Sequence, residues 1–144
     1  MAGDNDRRNY MGYYRCEVSY RGRQAHGIYQ WADRILKAIS ALEEKYYQKS
    51  MKNERQEDAI CMSECSQDYD WLEGVIYQLE ELTVPPIGLC KQGYCAFTEA
   101  GYQKYIEYIE DYRWIASKYG YKVEIKDIHP EKILYQDEMQ IVFQ

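Results

Sequence analysis

Only two histidines and three prolines occur in these 144 residues, and no stretch approaches the ~18 consecutive apolar residues that cross a bilayer. The opening MAGDNDRRNYMG is too polar for a signal peptide, so the expected compartment is cytoplasmic, with no membrane partner. Also missing are a Gly-x-Ser-x-Gly elbow, a His-Glu-x-x-His pair, a Gly-x-Gly-x-x-Gly turn and a Walker loop. These absences leave no motif on which to assign a catalytic residue, a cofactor or a dinucleotide-binding fold. The reading is therefore a non-enzymatic protein without a cofactor. Lys and Arg are absent between Gln56 and Cys90, a span that carries eight acids.

What is abundant is tyrosine, seventeen residues in a chain that is 15% aromatic. The apolar fraction of 46% suits a folded core, and the length suits one domain. Residues 1–12 read as a flexible arm and 13–144 as a single α+β domain. The net charge of −6 is unevenly spread: residues 1–34 carry +2 and the remainder −8. A surface of that sign repels duplex nucleic acid and favours basic proteins. Five cysteines in a reducing compartment are expected to be thiols, and an odd number cannot pair fully within one chain.

Periodicity gives the elements. Tyr14, Cys16, Val18 and Tyr20 alternate with polar residues, as a half-buried strand does, and Arg21-Gly22-Arg23 supplies a turn with Gly22 at positive φ. Residues 25–29 return as a second strand. A helix is expected from about Trp31, with Ile35, Ile39, Leu42 and Tyr46 on one stripe. Its pattern fades near Lys49, and Ser50 to Gln67 reads as a loop or frayed extension. A second helix is expected from Asp68 or Asp70, with Leu72, Val75, Ile76, Leu79 and Leu82 inward, stopped by Pro85-Pro86. A small hairpin is expected around Lys91-Gln92-Gly93. A third helix runs from an N-cap at Thr98, stapled by Phe97 and Tyr102, to Gly120. Strands follow at Val123–Ile125, Ile133–Tyr135 and Met139–Phe143. The predicted fold is thus α+β, order ββααα(β)ββ. It has a mainly antiparallel sheet of four or five strands and three helices on one face.

Three groups of residues could carry function. Asp68, Tyr69, Asp70, Trp71, Glu73, Tyr77, Glu80 and Glu81 combine acids with aromatic anchors, the chemistry that suits a basic protein groove. Tyr20, Arg21, Arg23, Tyr29 and Arg113 offer guanidinium forks beside stackable rings, the chemistry of a nucleotide site. Cys61, Cys65, Cys90 and Cys95 form two thiol pairs, but their spacings of three and four intervening residues are wrong for a zinc knuckle, so no metal is assigned. Gly74 and Gly101 stand inside helical patterns, where each costs ~1 kcal/mol unless a backbone passes closely. A crossing helix from a second subunit would explain Gly74, and so a homo-oligomer.

The segments FTEAGYQKYIEYIE (Phe97 to Glu110) and KILYQDEMQIVF (Lys132 to Phe143) resemble, in their Tyr/Ile/Glu/Lys usage, small accessory proteins of bacteriophages and mobile elements of Gram-positive hosts. That resemblance implies an anti-defence role in the host bacterial cytosol and transfers no residue. An anti-CRISPR-type inhibitor would dock its acidic aromatic surface on a basic nuclease complex. An anti-Thoeris or anti-CBASS-type sponge would sequester a signalling nucleotide, cyclic oligonucleotide or cyclic ADP-ribose in type. A phage structural or interaction module is the third expectation.

Overall fold

The computed structural model describes residues 12–23, 26–53, 56–80 and 93–144. Strand β1 (Tyr13–Tyr20) turns into the two-residue β2 (His26–Gly27), and two long helices follow, α1 (Ile28–Asn53) and α2 (Gln56–Leu79). Then come β3 (Tyr94–Phe97), α3 (Glu99–Lys118), β4 (Tyr121–Ile128), β5 (Ile133–Gln136) and β6 (Gln140–Phe143). All ladders are antiparallel. The α+β class, the antiparallel sheet and the three helices are as the periodicity predicts. Among the described residues the strands number six rather than four or five, because His26–Gly27 and Tyr94–Phe97 are both long enough to pair.

β1 is the centre of the sheet. One edge pairs with β4 over its whole length, from Tyr13↔Ile128 to Tyr20↔Tyr121. The other edge is shared: β2 takes Glu17 and Val18, β3 takes Tyr14, and β6 and β5 continue outward from β3. Between them, at Arg15 and Cys16, no strand pairs with that edge among the described residues. Side chains alternate across a strand, so Cys16 and Val18, with Ile125 and Val123 opposite, join or pack against the core. Arg15, Glu17, Lys126 and Glu124 share the other face, where Glu17 accepts from both Lys126 (2.7 Å) and Arg15 (3.4 Å).

α1 starts at Ile28, a turn before Trp31, because Gln30 reaches back and accepts the Gly27 backbone N–H at 2.8 Å, one half of a capping box. The larger correction is at α2, which begins at Gln56, where the sequence reads as loop. Its inward stripe is Cys61, Cys65, Asp68, Leu72, Val75 and Leu79, alternating steps of four and three. Two cysteines and an aspartate disguise it as polar, yet Cys65 is 3% and Asp68 4% exposed. The stripe packs on Trp31, Ile35 and Ile39 of α1 in one hydrophobic cluster.

α3 is set by its cap. The Thr98 hydroxyl accepts from Gly101 N–H at 3.1 Å and donates to the Glu138 carbonyl at 2.6 Å, which ties the helix start to the β5–β6 turn. Phe97 meets the Tyr105 ring, one turn beyond the expected staple, while Tyr102 stacks on Tyr14 at 4.5 Å. Gly120 at φ 86 ends the helix as expected. The arm up to residue 11, the Pro85-Pro86 stop and the Lys91-Gln92 turn lie outside the described residues.

Candidate functional site

α2 has two unlike sides. Leu72, Val75 and Leu79 are buried, whereas Asp70, Glu73, Gly74 and Glu80 are exposed together with Tyr77 (66%) and Trp71 (44%). Neither Asp70, Glu73 nor Glu80 has an ion-pair partner among the described residues, and a Cβ on Gly74 would meet no atom within 4 Å. The helix therefore presents an uncompensated acidic stripe with two large rings standing in it.

Two members of the predicted set do not belong there. Asp68 points inward, where it accepts from the Tyr119 hydroxyl and from Lys118 Nζ, at 2.7 and 2.8 Å. It sits on the buried stripe, one heptad step from Cys61 and from Val75, and the run of acids around it masked that spacing. Burial and then the bond to Asp68 push the Tyr119 hydroxyl far above the ordinary tyrosine range. Tyr69 is half-buried against the core. Glu81 lies outside the described residues.

The predicted ligand set also divides. At the β1–β2 turn Arg23 N–H bonds the Tyr20 carbonyl at 3.0 Å, and Arg21 (φ 48) and Gly22 (φ 75) carry the paired positive φ values of a type I′ turn. Tyr20 stacks on Tyr121 at 4.4 Å, Trp31 meets Tyr121 edge-on at 5.8 Å, and His26 stacks on Trp31 at 5.4 Å. Arg21 lies over Tyr20 and Arg34 over Trp31, 5.0 and 5.1 Å from the ring centroids. Tyr29 is elsewhere: its hydroxyl donates to the Leu79 carbonyl at 3.0 Å, and burial pushes its pKa upward. Arg113 stands on the exposed side of α3 beside Glu110, at 3.8 Å. Arg34, Trp31 and Tyr121 take their places in the cluster. No local sequence signal joins them, since they come from α1 and β4.

A third feature was not foreseen. Where β2 stops short, a cavity of about 180 Å³ opens along the unpaired stretch of β1, lined by Arg15, Ile28, Tyr29, Cys95, Phe97 and Gln140 among others. The buried Arg15 guanidinium closes the seam, donating to the Cys95 carbonyl at 2.8 Å and lying 5.0 Å from the Tyr94 ring centroid. Its charge is met by Glu17, so the cavity is bounded by a satisfied cation and apolar walls.

The cysteines do not converge as a set. Cys61 and Cys65 are one turn apart on α2, Cys95 lines the sheet cavity, and Cys90 lies outside the described residues. Among the described residues no three His, Cys, Asp or Glu side chains are grouped to hold a metal ion. Burial pushes the Cys16 thiol up to about 12, as for a packed apolar side chain. No helix among the described residues is long and apolar enough to cross a membrane.

No family model, curated protein or solved structure matches the chain.

Proposed function

We propose that this chain is a non-enzymatic binding protein that lays the outer face of α2 on a cationic protein surface. A nucleic-acid channel of a bacterial defence nuclease is the class of partner that suits it. The observation that carries this reading is the coexistence of the exposed rings of Trp71 and Tyr77 with Asp70, Glu73 and Glu80, all three without a counter-charge among the described residues. Trp and Tyr are among the residues that most often carry interface energy. Uncompensated carboxylates steer the encounter with a basic groove and exclude the nucleic acid that would otherwise occupy it.

The α2 backbone is rigid where the anchors stand, because Leu72, Val75 and Leu79 hold its other side in the core. The surface is therefore organised before binding, and little ordering entropy is lost on docking. The test is displacement of labelled DNA from a panel of guide-loaded nuclease complexes by the intact protein. Displacement should weaken at high salt. It should fall by a factor of about 30 or more for Trp71→Ala or Tyr77→Ala, as expected for anchors worth about 2 kcal/mol each. The double variant Glu73→Lys/Glu80→Lys should abolish it. Displacement that survives these substitutions, or none from any complex, overturns the reading.

A further inference from the structure

The end of the sheet opposite in charge to α2 carries a second site. Of the arginines described, Arg15 is paired with Glu17 and Arg113 with Glu110, but Arg21, Arg23 and Arg34 have no carboxylate within 4.0 Å among the described residues. Asp33, the nearest acid in sequence to Arg34, is paired with Lys37 at 2.8 Å. These three guanidinium groups lack a counter-charge among the described residues in a chain whose net charge is −6. They also come from two separate segments, the β1–β2 turn and α1.

They are held in place. Arg21 rests on Tyr20 and Arg34 on Trp31, and both rings belong to the stacked group built around Tyr121. A guanidinium held over a ring can still present N–H donors to a bidentate contact, and it has already lost part of its rotamer freedom. Tyr121 lies between them and is 8% exposed, yet its hydroxyl has no hydrogen-bond partner among the described residues. Burial, and then Tyr20, push that hydroxyl's pKa up, while Arg34, Arg23 and Arg21 each act in the opposite sense. Finally, Arg21 itself holds φ 48 at the first central position of the turn, a conformation that Asn or Gly adopts freely and arginine at a cost. Such strain collects where a side chain is needed for something other than folding.

We infer that Arg21, Arg23, Arg34 and the Tyr121 hydroxyl form a binding site for a compact polyphosphate, the group carried by a nucleoside di- or triphosphate. Forked N–H donors match phosphate oxygens two at a time, and two of the three guanidinium groups, Arg21 and Arg34, are already held over rings. A long polyanion is disfavoured, because beyond Arg34 the chain carries −8 and would repel whatever extended past the patch. The site lies on other elements than the outer face of α2, so either can fail without the other.

The experiment is calorimetric titration of the full chain with sodium tripolyphosphate, ATP and a single-stranded RNA of about 20 nucleotides, at low and high salt. Tripolyphosphate and ATP should each bind at one site, more weakly as salt rises. Tighter binding of ATP assigns a nucleotide as the source, and equal binding assigns the phosphate chain alone. Arg34→Ala should weaken both by about tenfold or more, Tyr121→Phe by less, and Arg113→Ala not at all. Arg21→Asn should weaken binding while raising the melting temperature, since it relieves the turn; a merely structural arginine would not separate the two. No binding of tripolyphosphate, wild-type affinity in Arg34→Ala and Arg21→Asn, equal loss in Arg113→Ala, or tighter binding of the RNA would each overturn the proposal.

Discussion

A Cβ added at Gly101 would collide with the Met139 carbonyl oxygen, whereas one added at Gly74 would meet nothing. The same residue type, inside two helices of similar length, thus reports two different histories. α3 starts pressed against the β5–β6 turn: Thr98 caps it, Met139 crosses at Gly101, and further along Tyr112 donates to the Ile28 carbonyl at 2.7 Å. α2 is anchored along one stripe, and on its other side Asp70, Glu73, Gly74 and Tyr77 are exposed. The first glycine is required by packing. The second sits where nothing inside the protein requires it, among the aromatic and acidic side chains that are exposed at equal cost.

The sharpest test of this contrast is Gly101→Ala. The obstacle is backbone, which cannot swing aside, so the helix start and the β5–β6 turn must separate and the Thr98 bonds with them. Overpacking of this kind should cost about 3 kcal/mol or more, read as a lowered denaturation midpoint. A loss below about 1 kcal/mol would mean that the two segments are not in contact.

Within α2 the same contrast separates two aspartates two residues apart. Asp68→Ala leaves the Tyr119 hydroxyl and the partly covered Lys118 without their acceptor and should cost about 2 kcal/mol. Asp70→Ala, on the outer half, should change stability by less than about 0.5 kcal/mol. Equal effects would show that the helix has no inner and outer side.

How far this was readable beforehand depends on the kind of signal. The alternation of Tyr14, Cys16, Val18 and Tyr20 and the Thr98-to-Gly120 frame of α3 are local patterns, and both are present where they were read. The first half of α2 was missed because its stripe uses thiols and a carboxylate in place of aliphatic residues, and polarity hid the spacing. The outer residues Trp71, Tyr77, Glu73 and Glu80 were legible as a group, but Asp68 was legible only to a count of heptad steps. The arginine cluster was half visible: Arg21 and Arg23 announce a turn, while Arg34 and Tyr121 reach it through tertiary contacts that no window of sequence contains. The cavity beside Arg15 follows from β2 stopping after two residues, which the pairing register determines and the composition does not.

High pH should also act on the inner side alone. Burial pushes the Tyr112 hydroxyl above the ordinary tyrosine range, and burial with the Asp68 bond does the same for Tyr119. Each folded-state pKa is raised, so the unfolded chain releases these protons first. The stability they contribute is complete below about pH 10 and is lost as pH rises beyond it. For the fully buried Tyr112 the loss should approach about 1.4 kcal/mol per pH unit. Tyr112→Phe and Tyr119→Phe should flatten this alkaline limb in denaturant titrations. A limb insensitive to Tyr112 would remove that hydroxyl from the interior.

The smallest effect expected is the one that joins stability to function. At Gly74 a methyl group meets open space, so alanine brings only its better helix propensity and a less flexible unfolded chain. Gly74→Ala should therefore stabilise the protein by about 1 kcal/mol, visible as a rise of a few degrees in melting temperature. If the partner's surface passes directly over the outer face of α2, the same methyl group stands in its way, between Asp70 and Tyr77 on adjoining turns. The variant should then be more stable and bind worse, a pairing that neither a folding defect nor a neutral surface change produces. A Gly74→Ala protein that gains stability and keeps full displacement activity would move the contact away from the middle of α2, toward Trp71 or Glu80 at its margins.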